Sequence, residues 1–225
     1  MWDKYTFEIK NALSSELCQH IIDKFEASDN QYEGELPYYI DGKKITRPKY
    51  NTQLDIEVET SSEWKHILNE LDMCTANAFK EYMKKLEGDF DISDREHIYL
   101  QDLADIRGGV FNIKQSGFTV HKIKEGDKYS WHHDGILGFP CFIQMIIYLN
   151  TLEDDEGGCT GFIDGKKVKP EVGKVLVYPQ SWLFPHCGYE VKGNSKYICT
   201  TSMFLYDQRR LKDALKIAQT ADTRL

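Results

Sequence analysis

From about residue 108 the chain stops repeating at helical spacing and breaks into short β-rich runs separated by turns. These are Val110–Ile113, Phe118–Ile123, Cys141–Leu149, Gly161–Ile163, Lys174–Tyr178 and Lys196–Leu205. This change of period constrains the fold more than any other feature. Strands this short are stable only when they pair with one another and bury a face against a second layer, which predicts a two-sheet roll or barrel over about 108–207.

The preceding residues, about 1–107, read as helical support. Leu13, Leu17, Cys18, Ile21, Ile22 and Phe25 recur at three- and four-residue spacing behind Ser14, a good N-cap, and predict an amphipathic helix over 14–28. Thr60 and Glu63 stand at capping-box spacing before a second apolar stripe, which runs from Trp64, Ile67, Leu68, Leu71 and Cys74 through Phe79, Tyr82, Met83 and Leu86. Between them, 31–52 is rich in Tyr, Pro and Gly, and Asp41-Gly42 fits a two-residue hairpin turn; the segment reads equally as a hairpin or as a lid over a site. Leu211, Ala214, Leu215 and Ala218 predict a C-terminal helix over about 208–222. The fold class is therefore α+β, and 225 residues suit a single domain spanning 1–225.

Composition excludes several functions. Lys and Arg total 28 against 36 Asp and Glu, a net charge of −8, so the molecule's field repels phosphate backbones and anionic lipid. No nucleic-acid partner is expected. No apolar run reaches the roughly 20 residues of a membrane helix, and the first residues lack a signal-peptide layout, so a soluble, cytoplasmic protein without a membrane partner is expected. The cysteines at 18, 74, 141, 159, 187 and 199 are widely spaced, with no C-x-x-C pair; they read as free thiols, and structural zinc is disfavoured.

Tyr129-Ser130-Trp131-His132-His133-Asp134 is the densest polar cluster. On an extended backbone His132 and Asp134 share a face and His133 points away, toward solvent or the second sheet. An imidazole and a carboxylate side by side supply two corners of a metal site. His-x-Asp alone is a weak signal, but 52 residues beyond Asp134 the strand at 174–179 leads through a short aromatic loop to His186, a third ligand if the two strands are neighbours. Two His and one carboxylate on one face suit non-haem Fe(II). Ten residues after His186, Lys196 opens an apolar strand, where a lone cation is costly unless an anion meets it.

The chain resembles the 2-oxoglutarate/Fe(II)-dependent oxygenases, and within them the prolyl 4-hydroxylase-like branch, over roughly 118–207. Gly126, Tyr129, His132 and Asp134 resemble that branch's G-x-x-Y-x-x-H-x-D run. Tyr148-Leu149-Asn150 and Gly157-Gly158-Cys159-Thr160-Gly161-Phe162 are similar to its Y-L-N and G-G-x-T-x-F segments. Gly173, His186, Gly193 and Lys196 match its closing pattern. The sequence departs from the branch at Ile123, where many members carry a tyrosine, and at Ser202, where a tryptophan is often found.

The resemblance implies a double-stranded β-helix, or jelly-roll, core, with His132, Asp134 and His186 as catalytic iron ligands. It implies Lys196 as the partner of the far carboxylate of 2-oxoglutarate, assisted by the hydroxyls of Tyr148 and Thr160. The implied reaction uses O2 and 2-oxoglutarate as cosubstrates, releases succinate and CO2, and hydroxylates an unactivated C–H bond, with ascorbate as a possible aid to turnover. A prolyl residue in a peptide or protein is the first substrate expected, and a free amino acid or small metabolite the second; Tyr129, Trp131 and Trp182 are candidate substrate contacts. A zinc hydrolase on the same ligands would leave Lys196 and the Gly157-Gly158 run without a task, and a non-catalytic roll would not need the triad. Oligomeric state is not set by the sequence.

Plainer readings apply elsewhere. His20, His66, His97 and His121 read as structural or exposed. Glu153-Asp154-Asp155-Glu156 reads as a solvated turn, and Lys166, Lys167 and Lys169 as a solvated face. Trp182 and Phe184 read as a substrate wall in preference to a cover over the roll.

Overall fold

The computed structural model describes residues 4–40, 43–56, 59, 61–89, 112–134 and 141–206. In chain order the elements are β1 (Phe7–Ile9), α1 (Ser15–Glu26), β2 (Tyr32–Ile40), β3 (Lys43–Asp55), α2 (Ser62–Asp89), β4 (Asn112–Gln115), β5 (Thr119–Ile123), β6 (Tyr129–His132), β7 (Cys141–Tyr148), β8 (Thr160–Phe162), β9 (Lys167–Val168), β10 (Val175–Pro179), β11 (His186–Gly188) and β12 (Lys196–Tyr206). They build two antiparallel sheets. The larger runs β1-β10-β7-β12-β5-β3-β2, with β4 also on β12; the smaller runs β6-β11-β8-β9. This is the jelly roll, with two helices on its outside.

Strict alternation along the central strands divides the larger sheet into two faces. Ile143, Met145 and Ile147 of β7, Val175 and Val177 of β10, and Cys199 and Met203 of β12 pack with the buried faces of α1 and α2. The intervening Ile146, Tyr148, Leu176 and Tyr178 pack instead with Phe162 and Val168 of the smaller sheet. The outer layer is anchored by Cys18, Ile21, Ile22 and Phe25 of α1 and by Trp64, Ile67, Leu71, Tyr82 and Leu86 of α2, all buried. Each such large side chain contributes about 1.5–3 kcal/mol by leaving water. The Ser14 Oγ accepts from the Leu17 amide at 3.2 Å and caps α1 as its sequence predicts.

Two expectations shift. The residues before 108 do more than provide helices: β1 forms one edge of the larger sheet, and β3 pairs with β5, Gln53 opposite His121 and Leu54 opposite Val120. The reason is local, since buried Leu54 faces the helices while Asn51 and Gln53 face the interior between the sheets. The cap of α2 falls at Ser61, whose Oγ accepts from the Trp64 amide at 3.3 Å, one residue beyond Thr60. The β2–β3 hairpin places Ile40 opposite Lys43, as a two-residue connection requires. Its Asp41-Gly42 turn, His97 and the C-terminal helix expected over 208–222 lie outside the described residues. Among the described residues no helix is long and apolar enough to cross a membrane.

Gly173 fixes the seam between the N-terminal segment and the roll. It lies at φ +73°, its carbonyl accepts from the amides of Ala12 and Leu13 at 2.8 and 3.1 Å, and a Cβ there would lie 2.1 Å from the Leu13 carbonyl oxygen. Gly173→Ala is therefore expected to lower the stability by about 1–3 kcal/mol, read as a fall in the urea midpoint at unchanged slope. A midpoint equal to that of the unaltered protein would contradict this close approach.

Candidate active site

His132 ends β6 and His186 opens β11, and in the smaller sheet they are direct antiparallel partners. Their ring centroids lie 4.2 Å apart. Asp134 follows two residues past His132 and returns to the same side, while His133 is exposed. His132 Nε2 lies 3.5 Å from Asp134 Oδ1, and His186 Nε2 lies 3.3 Å from Asp134 Oδ2. One ligand atom from each residue falls within 4.8 Å of the other two.

The backbone sets the tautomers. His132 Nδ1 lies 2.8 Å from the Ser130 carbonyl oxygen and His186 Nδ1 lies 3.2 Å from that of Phe184. A carbonyl only accepts, so each ring carries a proton on Nδ1, which leaves Nε2 as the atom that can ligate a metal. Burial lowers the pKa of His186 more than Asp134 raises it, which keeps the ring neutral. Burial pushes the Asp134 carboxyl up, but His132, His186 and Tyr178 outweigh it and hold the group below the ordinary carboxylate range. Once both Nε2 atoms are free of protons, two lone pairs and the Asp134 carboxylate face a common point. The Tyr178 hydroxyl, 3.1 Å from both Asp134 Oδ2 and His186 Nε2, has one proton for the two of them. A divalent cation relieves that crowding, and the backbone carbonyls, Tyr178 and Gln180, whose Nε2 donates to the Asp134 carbonyl at 2.9 Å, hold the donors in place. The donor set fits a metal with open positions on one side.

Lys196, in the cavity wall that also carries the triad, is 4% exposed. Its Nζ donates to the Gly158 carbonyl at 2.6 Å and lies 5.3 Å from the Tyr148 ring centroid. Among the described residues no carboxylate pairs with it. Burial lowers its pKa to about 8, with Cys159 and Cys187 opposing the shift. Gly158, at φ +66°, permits this approach, since a Cβ there would meet Leu152 at 2.6 Å and the Lys196 stem at 3.5 Å. Thr160 faces the cavity, and its Oγ1 lies 2.7 Å from the Tyr148 hydroxyl, which is buried behind it.

Of the three substrate candidates, only Tyr129 lines the cavity, its ring 3.9 Å from that of His132. Trp131 points the other way along β6 and is 53% exposed, and Trp182 is 70% exposed; neither lines the cavity. Strand alternation places Trp131 outside, because its neighbour His132 is inside. Phe184 is buried edge-on against Tyr5 and covers the roll, contrary to the wall expected of it. Cavity residues that the sequence does not single out as contacts include Asn51, His121, Gln144, Tyr178 and Thr200. Gln144 carried a usable signal, an amide alone in the apolar run Cys141–Tyr148, and buried His121 is the imidazole in the strand at 118–123.

Residues 118–203 match the family model of the 2OG-Fe(II) oxygenase superfamily. No curated protein matches the chain. Among solved structures, a prolyl hydroxylase from Trichoplax adhaerens, in complex with a hypoxia-inducible factor peptide fragment, superposes with a TM-score of 0.64 at 16% identity, covering 92% of this chain and 85% of that one. A viral collagen prolyl hydroxylase from Paramecium bursaria Chlorella virus-1, as its 2OG complex, gives 0.55 at 15% identity, covering 88% and 95%. A Pseudomonas putida prolyl-4-hydroxylase gives 0.56 at 13%, covering 89% and 92%. At these identities the structural likeness speaks for the fold.

The geometry predicts one divalent transition ion bound per chain. In anaerobic equilibrium dialysis with Fe(II), His186→Ala and Asp134→Ala are each expected to weaken binding by at least a hundredfold, and Tyr178→Phe by about ten- to a hundredfold. Stoichiometric binding retained by Asp134→Ala would contradict the arrangement.

Proposed function

We propose that the protein, whose residues 118–203 match the family model of the 2OG-Fe(II) oxygenase superfamily, is an Fe(II)- and 2-oxoglutarate-dependent hydroxylase acting on a prolyl residue of a peptide or protein, with His132, Asp134 and His186 as iron ligands. The observation that carries the reading is the pairing, in one cavity, of this triad with a buried lysine that meets no carboxylate among the described residues. Zinc hydrolysis would use three such ligands and leave that costly lysine unexplained. The prolyl hydroxylase folds among the structural neighbours support the substrate choice.

Bound iron supplies the activation of O2 and the oxidation of a C–H bond, coupled to decarboxylation of 2-oxoglutarate to succinate and CO2. The protein does the rest. The Nδ1–H groups of His132 and His186 donate to the Ser130 and Phe184 carbonyls, so both rings are held with Nε2 toward the iron position. Lys196 meets the distal carboxylate of 2-oxoglutarate as a charge-assisted donor, the Thr160 hydroxyl adds a second bond, and Tyr148 fixes Thr160. Phe162, Ile146 and Ile198 keep bulk water from this end of the cavity. Ascorbate as an auxiliary reductant belongs to the same proposal. The free thiols of Cys18, Cys74, Cys159 and Cys187 accord with the reducing, cytoplasmic setting proposed for the chain.

Losing one partner of a buried charge pair costs about 2–5 kcal/mol, so Lys196→Ala is expected to raise the apparent 2-oxoglutarate constant roughly thirty- to several-thousand-fold. The lysine is charged below its pKa of about 8 and loses its charge above it. Binding of the dicarboxylate should therefore be level below pH 8 and weaken by up to about tenfold for each further pH unit. A constant indifferent to both changes removes Lys196 from the site. Mass spectrometry of proline-containing peptides incubated with Fe(II), 2-oxoglutarate and O2 should reveal a gain of one oxygen matched by succinate; oxygen gain confined to free amino acids would overturn the substrate assignment.

A further inference from the structure

The cavity wall also carries a chain of polar side chains whose direction can be read bond by bond. Asn51 Oδ1 accepts from Gln53 Nε2 at 3.0 Å, which turns the Asn51 amide nitrogen toward His121 Nδ1, 3.2 Å away. His121 Nδ1 is therefore the acceptor, and its Nε2–H donates to Thr200 Oγ1 at 2.8 Å. Thr200 accepts that bond and keeps its own hydroxyl proton to give. Two residues along β12, the Ser202 hydroxyl donates to Gln144 Oε1 at 2.7 Å, which fixes the Gln144 amide with its NH2 as the outward group. Gln144 and Thr200 both line the cavity, and among the described residues no acceptor takes the Gln144 NH2 or the Thr200 hydroxyl proton.

The register places this shelf relative to the metal. Gln144 lies opposite Tyr178 of β10 on one side and Ser202 of β12 on the other, and Tyr178 touches both Asp134 and His186. Thr200 sits four residues from Lys196, about 13 Å along the strand, with Ile198 between them. A molecule beside the triad and away from Lys196 thus meets oriented donors, which call for carbonyl oxygens. It meets no spare anion. Asp134 is the sole carboxylate among the described lining residues, and it belongs to the metal triad. A free ammonium group would be buried there without a partner, which is costly.

We propose that Gln144, held by Ser202, and Thr200, held through the Asn51–His121 relay, are substrate-positioning residues that grip the carbonyl oxygen of an uncharged amide, so the site takes a peptide unit and rejects a zwitterionic amino acid. This rests on the hydroxylase reading above and deepens it.

The test uses the weak visible band of the anaerobic Fe(II)–2-oxoglutarate complex, titrated with N-acetyl amino-acid amides bearing uncharged side chains and, separately, with the same amino acids unblocked. The blocked amides are expected to shift the band saturably, and the free amino acids to do so at least tenfold more weakly. Gln144→Leu and the isosteric Thr200→Val should each weaken the blocked amides roughly five- to a hundredfold and narrow the discrimination between the two classes; two separate variants guard against one that fails to fold. A band that forms but responds equally to both classes, to neither, or unchanged in both variants overturns the shelf alone. Failure of the band to form in the unaltered protein overturns the hydroxylase reading beneath it.

Discussion

A single backbone register, His186 opposite His132, governs what the interior of this roll can do. It joins residues separated by more than 50 positions into one cluster, and it leaves the Nδ1 of each ring to a carbonyl two residues upstream. A slip of one residue would turn either imidazole to the outer face of the smaller sheet, where Trp131 now stands. The carboxylate then completes a set of three groups that face one point, held by the surrounding strands and by Tyr178 and Gln180.

The same economy governs Lys196. Burial disfavours its charge, and the Gly158 carbonyl and the Tyr148 ring meet it only in part. Compare Lys174, equally buried, whose Nζ reaches Glu8, Glu171 and the Lys169 carbonyl and fastens β1 to β10. One buried lysine pairs with two carboxylates, and the other, among the described residues, meets only a carbonyl and a ring. That contrast separates a structural cation from one disposed to receive an anion.

Much of this was legible in the sequence because the informative residues are short-range or highly specific. Alternation on β6 sets His132 and Asp134 on one side, apolar periodicity defines α1 and α2, and the spacing from His186 to Lys196 marks the deep end of the cavity. The strands β1 and β3 were not legible as members of the larger sheet. A three-residue edge strand carries almost no pattern, and Asn51 and Gln53 look like loop residues until the cavity they face is known. Trp131 and Trp182 misled for a related reason, since large aromatics near a ligand suggest a wall, whereas side-chain direction is decided by the pleat. The shelf residues escaped notice because their roles depend on partners across three strands, His121 with Thr200 and Gln144 with Ser202.

The most direct measurement is an anomalous-diffraction map from crystals grown anaerobically with Fe(II) and 2-oxoglutarate. One iron peak should fall among His132 Nε2, Asp134 and His186 Nε2, with the keto-acid's far carboxylate against the Lys196 ammonium. A peak elsewhere, or a lysine left facing Gly158 while the carboxylate binds another group, would contradict the account.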